Sequence, residues 1–431
     1  MDLLAEAVTT FVRTHGPDQK YLLAYSGGLD SHVLLHLFAT LRSIDSFHLR
    51  AMYVNHGISS HADKWAEHCR AICRELHVEF IQQTIRQTSE LSNLEERLRR
   101  ERYQLFQDNL FVNEILLTAH HQNDQAETIL LQLCRGAGLP GLAAMPRMKV
   151  FGKGFHARPL LDMTRDDLHH YATRHELNWI EDESNANRFH TRNFLRHEVI
   201  PILAKHWPSV TKTLARAAEN CADAQEFMNI STHYLLTKVQ GTVSGTLSVK
   251  KIRELAAIEQ RHVLRAFIHQ ANFLLPSTVK IQQILQTLLQ ARDDKMPHVF
   301  WGNAEIRRCR DDLFLMRKMG QHDPDQVIPW DISEPLIIPD IGTLEACSFL
   351  AHSGHVTVQF RKGGEKLRLS GRKHHHELKK AFQMWGVLPW LRDRIPLVYA
   401  DGVLVAVVGY WIQEGCIIQL QPNADFATVT P

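Results

Sequence analysis

The chain has 431 residues, enough for two or three domains that each bury a core. Charged residues at 22% and hydrophobic ones at 44% are ordinary for a globular protein and exclude a disordered chain. The formal net charge of +2 means that any nucleic-acid surface must be a local patch.

The start, MDLLAEAVTT, has no basic region and carries Asp2 and Glu6, so it does not read as a signal peptide. The longest apolar stretch near the end, Val403 to Ile412, is about half a bilayer span and is broken by Gly409. A cytoplasmic protein without membrane contact is expected. Its seven cysteines read as reduced thiols.

From about residue 20 to 180, short β-rich runs alternate with helical patterns. YLLAY precedes HVLLHLFATL, LRAMYV precedes ADKWAEHCRAICREL, VEFIQQ precedes LEERLRRERYQLF, and EILLTA precedes DQAETILLQL. This order predicts an α/β domain with a doubly wound parallel sheet, assigned to 1–215. Ligands of such sheets sit outside the carboxyl ends of the strands, where SGGLDS, VNHG and AHHQND would converge. Residues 216–322 read as a small α-rich middle domain, with an apolar stripe of Ile281, Ile284, Leu285 and Leu288 that belongs to its core together with Trp301. Four prolines between 324 and 339 suit a linker or edge strands. Residues 323–431 read as an α+β domain with a hairpin turn at Asp401-Gly402.

SGGLDS (Ser26 to Ser31) lies between a strand and a helix start. Gly27 and Gly28 allow backbone N–H groups to form an anion nest, and the helix adds its positive dipole end. A P-loop lysine is absent, so Asp30 suggests a positive charge supplied by Mg²⁺, which takes one or two carboxylates plus phosphate oxygens. An N-capped helix of no special chemistry would also explain the loop taken alone. In AHHQND, a helix starting near Gln122 puts Asp124 and Glu127 on one face, with His120 just before it. Asp124 would complete the magnesium site, and His120 would hydrogen-bond a phosphate or carry a proton. Taken singly, Asp124 reads equally as a helix cap and His120 as a satisfied strand-end residue.

With these residues in view, Ser26-Gly27-Gly28-Leu29-Asp30-Ser31 resembles the PP-loop of the N-type ATP pyrophosphatases. Within that superfamily the chain resembles the tRNA(Ile)-lysidine synthetases, through Val54-Asn55-His56-Gly57, Glu95 with Arg99, Arg102 and Tyr103, Ala119-His120-His121 with Asp124, Glu127 and Thr128, Arg135-Gly136, Arg158-Pro159-Leu160-Leu161, Glu181-Asp182 with Ser184-Asn185, and Arg192-Asn193 with Arg196. The run covers about 20 to 200 in matching order, and RKGGEKLRLSGRKHHHELKKAFQMWGVLPWLRDRIPL resembles the last domain of that family. Leu98, where the family often has alanine, and His374 to His376 are departures of detail.

The resemblance implies a two-step ligation on the wobble cytidine of a minor isoleucine tRNA with a CAU anticodon. The cytidine carbonyl oxygen attacks the α-phosphate of ATP, and the ε-amine of L-lysine then displaces AMP to leave lysidine. It implies ATP contacts from Ser26, Gly27, Gly28, Leu29, Asp30, Ser31, Asn55 and His56, Mg²⁺ on Asp30 and Asp124, and catalysis by Asp30, His120 and Asp124. Either Glu127 or Asp182 would suit the lysine ammonium. For tRNA, Arg99, Arg102, Arg192, Arg196, Arg372, Lys379 and Lys380 are the candidates, and no obligate protein partner is evident.

Arg361 to Arg394 carries ten Lys/Arg against three Asp/Glu, a surplus of seven, interleaved with Trp385 and Trp390. Cations beside aromatic faces suit exposed bases and phosphates, although a solvated charged face is the simpler reading of a lysine run. Arg188, Arg192 and Arg196 form a second patch, unless they salt-bridge Glu181, Asp182 and Glu183. Cys69 and Cys73 read as buried free thiols on an amphipathic helix. Two other functions remain open, a PP-loop tRNA thiolation or amidation and a non-catalytic nucleotide-responsive RNA-binding module. The first would need a sulfur-relay cysteine pair or a glutaminase domain, and the sequence has no CxxC.

Overall fold

The structure is a computed structural model and describes residues 2–57, 61–85, 94–181, 191–292, 295–349, 355–368, 375–414 and 416–423. The chain divides into two compact units, Met1–Met228 and Asn229–Pro431.

The first unit is built on a sheet whose strands, in chain order, are β1 (Lys20–Ala24), β2 (His48–Asn55), β3 (Glu79–Thr84), β4 (Ile115–Leu117), β5 (Met148–Phe151) and β6 (Gly154–Ala157). In space they run β3-β2-β1-β4-β6-β5, all parallel except β5 against β6. The register pairs Leu23 with Ala51 on one side and with Leu117 on the other. The carboxyl ends of β1, β2 and β4 therefore lie side by side, and β1 is the point where the strand order reverses.

Both faces of the sheet are covered, which is why β1 is a continuous apolar run. Tyr21, Leu23 and Tyr25 pack with α1 (Leu3–His15), α2 (Leu29–Leu41) and α3 (Ala62–Glu75). Leu22 lies on the opposite face with Met52, Leu116 and Phe106, the last from α4 (Leu94–Asn109). The four strands expected from the sequence are present. The β5–β6 hairpin was not anticipated; its turn is Gly152-Lys153, with Gly152 at φ +56°. Short strands with a polar outer edge carry little periodic signal.

A helix of 29 residues, Val210–Lys238, runs without a break across residue 215, where the sequence reading ends the first domain. In the second unit, the helices Ala257–Gln270 and Thr278–Gln290 pack on an antiparallel sheet of Leu247–Ser248, Asp312–Arg317, Ala304–Cys309 and His298–Trp301. Ile281, Ile284 and Leu288 are buried there as the apolar stripe predicts, with Leu285 and Trp301 packed at the margin. The "α-rich" middle is thus mixed α/β; its strands carry polar residues such as Glu305, Arg308 and Asp312 at buried positions, which interrupts their apolar pattern.

The remaining residues form a five-stranded antiparallel sheet in the order Ile328–Pro329, Val356–Gln359, Leu397–Ala400, Val403–Val407, Trp411–Ile412, and a second of Leu336–Ile338, Gly342–Phe349 and Cys416–Pro422. Asp401 (φ +50°) and Gly402 (φ +80°) make the expected hairpin turn. The proline-rich stretch supplies edge strands, consistent with the missing N–H of proline.

Candidate active site

The SGGLDS turn is held from inside. Gly27 has φ +79°, and a Cβ there would lie 2.7 Å from Ile180 Cδ1 and 2.9 Å from Cys69 Sγ, so only glycine fits. Its carbonyl accepts from Ile180 N at 2.9 Å. Ser31 Oγ donates to the Gly28 carbonyl at 3.0 Å and lies 3.0 Å from Ser26 Oγ, which ties the turn to the first turn of α2. Gly28 is the N-cap of α2 and makes no side-chain cap. Asp30 is thus not the capping residue that the plain-helix reading needs. Its Oδ1 is buried without a partner among the described residues.

The helix α5 (Gln122–Cys134) starts where the sequence predicts, directly after β4 and the Thr118–His121 link. His121 Nε2 lies 3.6 Å from Asp30 Oδ2 and 3.5 Å from Asp124 Oδ2. Asp30 and Asp124 therefore flank one imidazole, which is buried. Burial alone would lower the His121 pKa, but the hydrogen bond it donates to Asp30 and the two carboxylate charges outweigh it and raise the value. Asp124 experiences the converse: burial pushes up, while His121, His120 and Arg192 together hold it below the usual carboxylate range. Its Oδ2 also accepts from His121 N at 3.0 Å, so Asp124 does act as a cap as well.

His120 takes a different position. Its Nδ1 is 2.7 Å from Thr118 Oγ1, which is 2.9 Å from His156 Nε2. Desolvation drives His120 down to about 3, offset in part by Asp124, and drives His156 to about 2 with help from Arg158. Both rings are neutral at physiological pH, so His120 can direct a hydrogen bond but is a weak base.

The arginines of RNFLR face the same carboxylates. Arg192 Nε donates to Glu127 Oε2 at 2.9 Å, and Arg196 Nε and Nη2 donate to Glu127 Oε1 and Oε2 at 2.6 and 3.0 Å. Arg196 Nη2 also reaches Asp124 Oδ1 at 3.1 Å. Their ion-pair partners among the described residues are Glu127 and Asp124, where the sequence reading had named Glu181, Asp182 and Glu183. Glu127 is already bound by two guanidiniums, and Asp182 lies outside the described residues, as do Ser184, Asn185, Arg188 and Arg372.

Asn55 closes β2, where its Oδ1 accepts from Gly57 N at 2.7 Å, and His56 follows it, half-buried, at the neighbouring strand end. Leu29 is the first residue of α2. Arg99 is exposed and Arg102 half-buried, their guanidiniums 5.2 and 5.7 Å from the Tyr103 ring centroid. Lys379 and Lys380 are exposed on the helix Leu378–Met384 of the second unit. Sequence reasoning gave no role to His121, His156 or Thr118. The adjacent histidines of AHHQND were the available signal, but spacing cannot tell which of two neighbours turns toward Asp30.

No group of three or more His, Cys, Asp or Glu side chains among the described residues has metal-binding geometry. Two carboxylates with an unpartnered oxygen fit a hard cation that completes its shell from water and phosphate oxygens.

A glycine turn at the reversal point of a parallel sheet, with carboxylates from two helix starts beside it, defines a nucleotide-binding α/β domain of the PP-loop class. A family model described as a PP-loop domain matches residues 3–203, one for a TilS substrate binding domain matches 247–314, and one for a TilS substrate C-terminal domain matches 356–425. The chain is 41% identical to the tRNA(Ile)-lysidine synthase of Coxiella burnetii over 421 residues, covering 95% of this chain and 93% of the relative. It is 38% identical to that of Methylococcus capsulatus, covering 91% and 92%. Among solved structures, a U34-tRNA thiolase from Methanococcus maripaludis aligns at 18% identity with a TM-score of 0.40, covering 47% of this chain and 72% of that one. The chain belongs to the tRNA(Ile)-lysidine synthase family.

Proposed function

We propose that the chain uses ATP to join L-lysine to the wobble cytidine of a minor isoleucine tRNA with a CAU anticodon, releasing pyrophosphate and AMP. The observation that carries this reading is the meeting of Asp30 and Asp124 at His121, beside the Gly27 turn. The turn and the start of α2 receive the leaving pyrophosphate, with Ser26 and Ser31 at its edge. Asn55 and His56 are the adenosine side. Asp30 and Asp124 would hold Mg²⁺, which when bound supplies the positive charge that offsets the phosphates. His120, neutral and hydrogen-bonded to Thr118, positions rather than deprotonates. Arg192 and Arg196 anchor Glu127 and hold Asp124 ionised, and Arg99 and Arg102 are the basic groups free of such a task near the site for tRNA.

The residue ranges 1–215, 216–322 and 323–431 remain our division into catalytic, middle and C-terminal domains. No helix of the described residues is long and apolar enough to cross a membrane. A cytoplasmic location belongs to the proposal.

Thiolation is disfavoured on chemical grounds. Cys69 lies directly under the PP-loop turn, but burial pushes its thiol and that of Cys73 up to about 12, far from a reactive thiolate.

The reading is tested by mass spectrometry of the tRNA anticodon fragment after incubation with ATP and lysine. A lysine adduct on the wobble cytidine, absent from a transcript carrying the methionine anticodon loop and acceptor stem, is expected. Equal modification of both transcripts would overturn the specificity.

A further inference from the structure

The second unit contains a basic cleft of about 850 Å³, lined by Arg307, His322, Arg361, Lys362, Trp390 and Arg394, with Asp325 and Asp393 on its wall. The two tryptophans that the sequence pairs with this basic segment part here. Trp385 is stacked on Tyr410, with ring centroids 5.7 Å apart and planes at 22°, and packs on the core. Trp390, packed against the same core, also lines the cleft.

The Arg307 guanidinium carbon stands 5.4 Å from the Trp390 ring centroid, and Phe314 meets the ring edge-on at 5.3 Å. The cleft also holds donors that the protein leaves unused. Trp390 Nε1 and Arg361 Nε are buried with no partner among the described residues, as is His322 Nε2, which donates or accepts according to tautomer. An unmade hydrogen bond of a buried donor is costly unless a ligand or water completes it.

The charges point the same way. Asp393 accepts from Arg361 at 2.9 Å, Asp325 lies 3.3 Å from Lys362 and Glu305 accepts from Arg307, while Arg394 donates to the Gly320 carbonyl and has no carboxylate within 4.0 Å among the described residues. Arg392, just outside the wall, has its pKa lowered by burial and then by Arg361 and Arg310. Cations crowded on each other beside a flat ring, with spare N–H donors, match a ligand that has both a planar base and a phosphate.

We propose that this cleft binds a nucleotide, its base on Trp390 and its phosphate among Arg307, Arg361 and Arg394. Resting on the tRNA-modifying function above, the nucleotide is an unpaired one of the tRNA; a free nucleotide such as ATP has the same chemistry and is separated by experiment.

The full chain, Trp390→Ala and Trp390→Phe are titrated with labelled minor isoleucine tRNA by filter binding, and with labelled ATP by equilibrium dialysis without tRNA. Loss of one stacked base weakens tRNA binding about tenfold in Trp390→Ala, with most affinity restored in Trp390→Phe and one ATP per chain throughout. Two ATP per wild-type chain and one in Trp390→Ala, with tRNA affinity unchanged, would assign the cleft to free nucleotide. Unchanged tRNA affinity with one ATP in every protein overturns the proposal. Should Trp390→Ala fail to fold, Arg394→Gln serves: a shallower salt dependence by about one phosphate contact supports the cleft, and an unchanged slope overturns it. Absence of lysidine in the wild-type reaction would sink the function and leave these binding results standing.

Discussion

His121 Nε2 stands 3.6 Å from Asp30 Oδ2, so the amino-terminal turns of two different helices are joined through one imidazole at the carboxyl edge of the sheet. Asp124 receives the same nitrogen at 3.5 Å. The arrangement gives Asp30 a task at the site, and its second oxygen remains open for a cation. Asp30→Asn keeps the shape and removes the charge. It is expected to abolish formation of the adenylated base while tRNA binding persists, read by AMP and pyrophosphate release alongside filter binding. His121→Asn should lower the same rate by about 100-fold, the scale of a lost proton-handling or orienting group. Wild-type adenylation in Asp30→Asn would remove Asp30 from the site chemistry.

Glu127 is buried, and both of its oxygens are occupied by Arg192 and Arg196. Removing the carboxylate would leave two guanidiniums, each about a quarter exposed, facing one another. Glu127→Gln should destabilise the protein by roughly 3 kcal/mol, as expected when one partner of a buried ion pair is lost. Urea unfolding measures it. In a double-mutant cycle with Arg196→Met, the coupling energy should be clearly non-zero, and an additive pair would mean that the bridge is not formed in solution.

The parts of this fold that show in the sequence are those with long periodic signals. YLLAY and LRAMYV are runs buried on both faces, and DQAETILLQL keeps helical spacing from its first carboxylate, so β1, β2 and α5 fall where the pattern puts them. The β5–β6 hairpin was missed because its strands are short, and the four-stranded sheet of the middle region because buried Glu305, Arg308 and Asp312 interrupt its apolar runs. At the site, spacing brings Asp30, His120 and Asp124 to one edge but does not fix side-chain direction. Chain packing turns His121 to the carboxylates and His120 to Thr118. Trp385 and Trp390, five residues apart, both pack against the core, but Trp385 stacks on Tyr410 while Trp390 also lines a cleft.

Acid should weaken the first unit before neutral His120 and His156 themselves titrate. Burial lowers His120 from an ordinary 6.5 to about 3 and His156 to about 2, and His32 to about 4. Below pH 6.5 the unfolded chain takes up protons at these sites and the native state does not, so stability falls as pH drops from 6.5 toward 4. Melting temperature measured across that window should decline, and His156→Gln should flatten the decline. A pH-independent melting temperature between 6.5 and 4.5 would contradict neutral histidines in the fold.

Gly27 and Gly28 look alike in the sequence but should respond differently to a methyl group. At Gly27 the backbone is left-handed, and the new Cβ would meet Ile180 and Cys69 inside 3.0 Å. The conformation alone costs about 1–2 kcal/mol for an L-residue, and the clash adds to it because both neighbours are packed. At Gly28 the φ is −76°, and a Cβ would meet Ser26 Oγ at 3.6 Å and the Ile180 carbonyl at 3.8 Å, ordinary contacts. Gly28→Ala should therefore cost less than about 1 kcal/mol, the scale of a weakened N-cap. Chemical denaturation of the two variants side by side makes the comparison, with Gly27→Ala expected to lose at least 2 kcal/mol more than Gly28→Ala, about the sum of the conformational and packing penalties. Equal losses would mean that the turn can move away from Ile180, and that the tight seat of the PP-loop on Cys69 is not what holds its shape.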